Sequence, residues 1–254
     1  MQCCVTRHGA DTLRYKEGSD EALRETCGQQ WNKCACQLLG VLQPAQPAVN
    51  RLPGIYALPL PVGIICRLLD IPSSDGTALS IAASRLVAAF DLALLDATTL
   101  AAANEAALTL ERYFQTVVAQ RRAEPGDDII SSLVSVEDNG ATLSDGEIVS
   151  NVILLFIAGH ETMSNMIGNA LVALFRQPAQ LDFGRGGSMP SLAFGGGIHY
   201  CLGARLALLE MEVAIGALLA RFPDMQPVNM NKLTWHPRNN PRGVQSLRIA
   251  TAAA

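Results

Sequence analysis

The chain has 254 residues, 49% of them apolar and 17% charged, with a net charge of −4 at pH 7. That length suits one large domain or two small ones, and the composition excludes a disordered chain. An acidic balance and 5% aromatic residues also exclude the basic stripe and stacking platform that nucleic-acid binding needs. Seven cysteines, with no basic-then-apolar leader over residues 1–8, read as free thiols in a reducing cytosol. The longest apolar run, residues 152–159, falls well short of the ~20 residues that cross a bilayer. A cytoplasmic protein with no membrane span is expected.

The first fifty residues hold five cysteines (Cys3, Cys4, Cys27, Cys34, Cys36) and no sustained period. Cys34-Ala35-Cys36 lacks the spacing and the second pair of a zinc site. From Leu58 a helical stripe begins, Leu60, Ile64, Ile65, Leu68 and Leu69, closed by Pro72. Ser84 to Arg122, rich in Ala and Leu without proline, predicts one or two long helices. Pro125-Gly126-Asp127-Asp128 punctuates, with Asp127 or Asp128 capping a helix through Val136, and Asp138-Asn139-Gly140 signals a turn. Ser144-Asp145-Gly146-Glu147 is a capping box. Behind it Ile148, Val152, Phe156, Met163, Ile167, Leu171 and Leu174 keep helical spacing until Pro178. Between Val152 and Ala158 apolar residues cover most of the circumference, which predicts passage through the core. Residues 182–197 are glycine-rich with no regular element. A last helix is expected from about Leu202 to Pro223, and a small hairpin in the tail from Lys232 to Ile249. The chain reads as mainly α.

Two segments carry chemistry. In Phe194-Gly195-Gly196-Gly197-Ile198-His199-Tyr200-Cys201-Leu202-Gly203, three glycines let the backbone take positive φ and approach a ligand closely. Cys201 follows at the start of a helix, whose dipole favours an anion there. A thiolate is a strong axial ligand for haem iron, and His199 could donate to a propionate. Gly203 leaves the first turn bare. An ordinary buried cysteine behind a glycine-rich loop is the plain alternative. A dinucleotide site would need a preceding strand and a later acidic residue, and neither is present.

The second segment is Ala158-Gly159-His160-Glu161-Thr162. Glycine inside a buried helix costs about 1 kcal/mol, which makes sense where something must approach the backbone. Glu161 and Thr162 put a carboxylate and a hydroxyl in an apolar helix, at a cost unless partnered. The plain alternative is Thr162 bonded back to the carbonyl four residues earlier, with Glu161 reaching solvent. A zinc-protease reading fails because position 164 is Ser.

Together these segments resemble the cytochrome P450 family, in particular its soluble bacterial members. Phe194-x-x-Gly197-x-His199-x-Cys201-x-Gly203-Ala204 is similar to the family's haem-binding signature, and Ala158 to Thr162 to its oxygen-activating helix. Leu58-Pro59-Leu60-Pro61-Val62, Pro125 to Asp128 and the tail from Leu233 to Leu247 agree. The resemblance implies a mainly α, P450-like helical core with a minor β hairpin near the C-terminus, incomplete in this chain. It implies haem b held by Phe194, Gly197, His199, Cys201, Gly203, Ala158 and Gly159, with Cys201 as the iron ligand. Thr162 and Glu161 would deliver protons, and Ala158 and Gly159 would leave room for dioxygen and substrate. A small organic substrate, O2 and a ferredoxin/ferredoxin reductase donor would complete the monooxygenase.

The departures are specific. Leu181 runs straight into Asp182-Phe183-Gly184-Arg185, where family members place several helices and a Glu-x-x-Arg pair. Glu21-Ala22-Leu23-Arg24 has that spacing but precedes the central helix, and Ser191 stands where many relatives carry His. The expected organisation is an undetermined segment over 1–51 and one P450-like domain over 52–254, with an internal deletion near 181/182. Two other readings stay open: a non-catalytic or degenerate haem-binding remnant, and a helical interaction protein with a structural cysteine.

Overall fold

Proline and aspartate set most of the helix boundaries in the computed structural model, which describes residues 48–91, 95–138, 141–176, 192–238 and 241–251. The expectations for residues 1–47, Asn139-Gly140, Pro178, the 181/182 junction and Ser191 lie outside those residues.

After strand β1 (Ala48–Arg51) and one π-helical turn (Pro53–Ala57), α1 spans Pro59–Leu68. Its stripe of Leu60, Ile64 and Ile65 is buried, as the spacing requires. The long Ala- and Leu-rich stretch is two helices, α2 (Ser73–Ala88) and α3 (Ala97–Ala123). α2 starts at Ser73 and not Ser84, although Ser-Ser-Asp-Gly is weak helix sequence. Gly76 explains it: a Cβ there would sit 2.7 Å from Val62 Cγ1, so tertiary packing of α2 on α1 overrides propensity. Asp96 caps α3, accepting the Thr99 N–H at 2.7 Å.

Asp128, not Asp127, caps α4 (Ile129–Val134), accepting the Ser131 N–H at 3.0 Å. Arg121 reaches the same carboxylate at 2.9 Å, tying the end of α3 to this cap. Two-residue strands β2 (Glu137–Asp138) and β3 (Ala141–Thr142) pair antiparallel. The capping box forms as read: the Ser144 N–H donates to Glu147 Oε2 at 2.8 Å and the Glu147 N–H to Ser144 Oγ at 3.3 Å. It opens α5, Asp145–Arg176. α6 spans Ala204–Arg221, beginning after Gly203.

The tail hairpin pairs β5 (Thr234–Trp235) with β6 (Val244–Ser246). A three-stranded antiparallel sheet, unforeseen in the sequence, has the order β1-β7-β4, with β7 at Arg248–Thr251 and β4 at Gln226–Pro227.

The described residues fall into two units, one of 61–162 with 237–242, the other of 48–60, 163–236 and 243–251. In the first, Leu69, Leu110, Phe114, Ile148, Val152 and Phe156 form a fully buried core, with the Phe114 and Phe156 rings 5.9 Å apart. Cys66 lies in this core as a free thiol, which burial, aided by the nearby Asp75 charge, pushes up to about 11. In the second, Tyr56, Ile167, Leu171, Ala214, Leu218, Leu247 and Ile249 are buried, and the Tyr56 hydroxyl donates to the Ala214 carbonyl at 2.8 Å.

No single helix among the described residues is long and apolar enough to cross a membrane.

Within the second unit Gly243 meets Asn165 so closely that a Cβ would overlap its side-chain oxygen, with the Asn165 Cβ only 3.1 Å away. Asn165 is buried and has little room to retreat. Gly243→Ala is expected to lower stability by about 2 kcal/mol, the overpacking range. Urea denaturation checks this, and an unchanged midpoint would refute it.

Candidate functional site

The two segments lie in different units and are taken one at a time.

In the first unit, α5 sorts Ala158 to Thr162 by direction. Leu154, Ala158 and Thr162, four apart, share the exposed face, with Leu154 60% exposed. The Thr162 hydroxyl donates to the Ala158 carbonyl at 2.7 Å, so its proton is engaged and its lone pairs remain available. Gly159 points elsewhere. A Cβ there would stand 3.0 Å from Ile65 Cδ1, so the close approach expected at this glycine is made by α1. His160 is fully buried and its Nδ1 donates to the Phe156 carbonyl at 2.6 Å. Burial holds its pKa below the ordinary histidine value, against opposing pulls from that bond and the Glu161 charge.

Glu161 does not reach solvent. It is buried and pairs with Arg238, Nη2 to Oε2 at 2.7 Å, both side chains 8% exposed. The sequence pointed to Glu161 but not to Arg238, 77 positions away.

In the second unit, the cysteine segment begins with a 3-10 turn, Leu192–Phe194, and holds another, Gly197–His199, where no regular element was expected. Two of its three glycines take positive φ, Gly195 at 72° and Gly197 at 61°, which side chains rarely adopt. They fold the strip back so that the Cys201 N–H donates to the Phe194 carbonyl at 2.8 Å. The Phe194 and Tyr200 rings stand 6.3 Å apart. Cys201 precedes α6 by three residues, and its carbonyl accepts the Ala204 N–H at 3.3 Å. Its thiol is free and exposed, which removes the buried-cysteine alternative. His199 is exposed as well.

The surroundings suit a large flat apolar group. Ile198 is 94% and Leu192 84% exposed, and Leu202 and Tyr200 are more than half exposed. Cβ atoms at Gly196, Gly197 and Gly203 would meet nothing within 4 Å. An exposed soft ligand among exposed apolar side chains is the donor set haem takes, and the residues present fit that group. Among the described residues no cluster of His, Cys, Asp and Glu could hold a metal ion on its own.

One further group was missed. Glu210 on α6 is buried, its Oε1 without a hydrogen-bond partner, and burial pushes its pKa up to about 8.

The cytochrome P450 family model matches residues 77–182 and 184–237. The chain is 34% identical to a cytochrome P450 133B2 of Xylella fastidiosa strain 9a5c, over 76% of this chain and 65% of that protein. It is 33% identical to a cytochrome P450 133B1 of the same strain, over 80% and 67%. The ligand-free structure of Mycobacterium smegmatis CYP164A2 superposes with a TM-score of 0.80 at 28% identity, covering 92% of this chain and 78% of that one. The chain thus spans about two thirds of the length of these curated relatives. The match to P450 133B2 runs over 259 positions but takes in 76% of 254 residues, about 193, so roughly 65 positions of the relative have no counterpart within the matched stretch.

Proposed function

The chain belongs to the cytochrome P450 family, and from that premise we propose that it is a cytoplasmic haem-thiolate monooxygenase acting on a small organic substrate. The observation that carries this reading is the free, exposed Cys201 thiol, presented by two left-handed glycines among exposed apolar side chains. The balance is one C–H bond and one dioxygen, with two electrons and two protons, giving one hydroxyl product and one water. A ferredoxin with its reductase would supply the electrons.

Bound through the Cys201 sulfur, haem would supply the reductive activation of dioxygen. The rest falls to the chain. The Phe194 carbonyl and the conformations of Gly195 and Gly197 hold the Cys201 backbone in place, and Gly203 keeps the approach to the sulfur open. His199 would donate to a propionate. Ala158 would leave space beside Thr162, whose lone pairs accept a proton-bearing group, while Glu161 would furnish the protons. Gly159 serves the site by seating α5 against Ile65.

A second reading has its own support. The roughly 65 unmatched positions and the break in the family match at residue 183 favour an internal deletion near 181/182, which would make the chain a non-catalytic haem-binding remnant. The ferrous carbon monoxide difference spectrum of the purified, haem-supplied chain, followed by ferredoxin-driven turnover on a panel of small organic compounds, separates the two. A red-shifted Soret band with hydroxylated product is expected. The band without product on any compound would leave the remnant reading, and no haem uptake would overturn both.

A further inference from the structure

Helix α6 follows directly on the Cys201 loop, yet little holds its first half. Gly203, its N-cap, brings no capping side chain, and the first turn has no acidic residue, so neither device that usually steadies a helix start is present. Up to Met211 only Ala204 and Glu210 are buried, while Arg205 and Leu208 face outward. The second half is better anchored. Val213, Ala214 and Leu218 are buried there, and the Tyr56 hydroxyl donates to the Ala214 carbonyl at 2.8 Å. The Cys201 loop joins the weaker half, through the Ala204 N–H to the Cys201 carbonyl at 3.3 Å and the Ala207 N–H to the Gly203 carbonyl at 2.8 Å. Glu210 is thus the one long side chain fully buried in the half of α6 that presents the sulfur.

That seat depends on a proton. Glu210 is 2% exposed and its Oε1 has no hydrogen-bond partner, a position that tolerates a neutral carboxyl far better than a charged one. Burial is the sole cause acting on it. Among the described residues, Arg205, Glu212 and Arg221 on its own helix contribute no offsetting charge, nor do Arg176, Lys232 and Arg248 elsewhere in this unit. The seated carboxyl keeps its proton up to about 8, whereas in solvent it ionises near 4.5. Between those values each unit of pH favours any form that exposes Glu210 by about tenfold, and the effect levels off above them.

We propose that Glu210, in its acid form, latches the first half of α6, and that loss of its proton loosens the Cys201 loop and weakens thiolate ligation of haem. This rests on the monooxygenase reading above. The sign sets the latch apart from the titration of Cys201 itself. A thiolate ligand fails as pH falls, by protonation of the sulfur, whereas the latch makes ligation fail as pH rises.

Two measurements test it. The first is amide hydrogen exchange of the purified full chain without haem, each rate divided by that of the same amide in an unfolded peptide. From about pH 5.5 to about pH 7.5, opening at residues 207–210 should rise on the order of 100-fold in the wild type. In Glu210→Gln it should stay flat. The same amides should open more readily than those of β7 in the same unit, which marks a local event and not global unfolding. Equal slopes in wild type and Glu210→Gln, or opening no faster than in β7, would overturn the proposal. Should Glu210→Gln fail to fold, Glu210→Met, which cannot ionise either, takes its place.

The second measurement follows the carbon monoxide spectrum of the haem-loaded chain with pH. The wild type should reversibly lose a growing share of the red-shifted thiolate band as pH rises from about 6 to about 8, while Glu210→Gln keeps it. A band independent of pH, or one lost equally in Glu210→Gln, would confine Glu210 to helix stability and sink the proposal. No thiolate band in any chain at any pH would instead sink the monooxygenase reading, with the exchange slopes still deciding the latch.

Discussion

Cys201→Ser is expected to abolish the red-shifted Soret band of the haem-supplied, carbon monoxide-treated chain while leaving the stability of the haem-free chain within about 0.5 kcal/mol, the range of an exposed substitution. The two halves have separate causes. Serine keeps the shape, and the backbone bond from position 201 to the Phe194 carbonyl at 2.8 Å does not involve the side chain. The sulfur itself is exposed, so little packing is lost. A hydroxyl stays protonated at neutral pH and cannot give iron the electron density of a thiolate. Cys66 is the internal control. Its thiol is buried in the core and burial pushes it up to about 11, so Cys66→Ser should leave the band alone and lower stability, by about 1–3 kcal/mol for an unpartnered buried hydroxyl. A Cys201→Ser chain that keeps the band would overturn the ligand assignment.

What the sequence made legible was local. The Ser144–Glu147 box, the Asp128 cap and the tail hairpin are written within a few residues, by side chains whose bonding partners are their own near neighbours. The cysteine loop was legible for the same reason: three glycines in a row announce positive φ, and two of them take it. Contacts between distant positions left no such trace. β1 pairs with β7 across most of the described chain, and nothing in Ala48–Arg51 announces a partner near residue 250. The start of α2 at Ser73 hung on Gly76 fitting beneath Val62 and Cys66, a steric fact about another helix.

The Ala158–Thr162 segment shows both limits at once. Its composition announced a polar task inside an apolar helix, and of the plain alternatives the Thr162 back-bond holds while a solvent-facing Glu161 does not. The difference is rotation around α5. Positions 158 and 162 share one face and 161 another, so one residue type is left open and its neighbour is buried against Arg238. Sequence spacing fixed that rotation, but the identity of what waits on the buried face was a tertiary matter. Gly159 divides in the same way: the need for a close approach was readable, and the approaching atom, Ile65 Cδ1, was not.

Glu210 yields a prediction of opposite sign to most core substitutions. Its folded carboxyl keeps a proton up to about 8, against 4.5 for an unhindered glutamate, with burial as the sole cause. Between those values the folded chain binds more protons than the unfolded one, so stability falls as pH rises from about 4.5 and levels off above about 8. At 1.36 kcal/mol per unit, that loss is on the order of 3 kcal/mol by pH 7, an upper bound. Glu210→Gln cancels the titration but leaves a buried amide still seeking partners, so it should flatten the pH dependence with a small net gain. Glu210→Met removes the polar group and keeps most of the volume. It should equal the wild type or better it slightly at pH 5 and exceed it by about 3 kcal/mol at pH 8. Urea denaturation of the full chain at both pH values reads this directly. A Glu210→Met chain less stable than the wild type at pH 8 would mean that the carboxylate is charged and partnered, and that its burial is not the liability its surroundings imply.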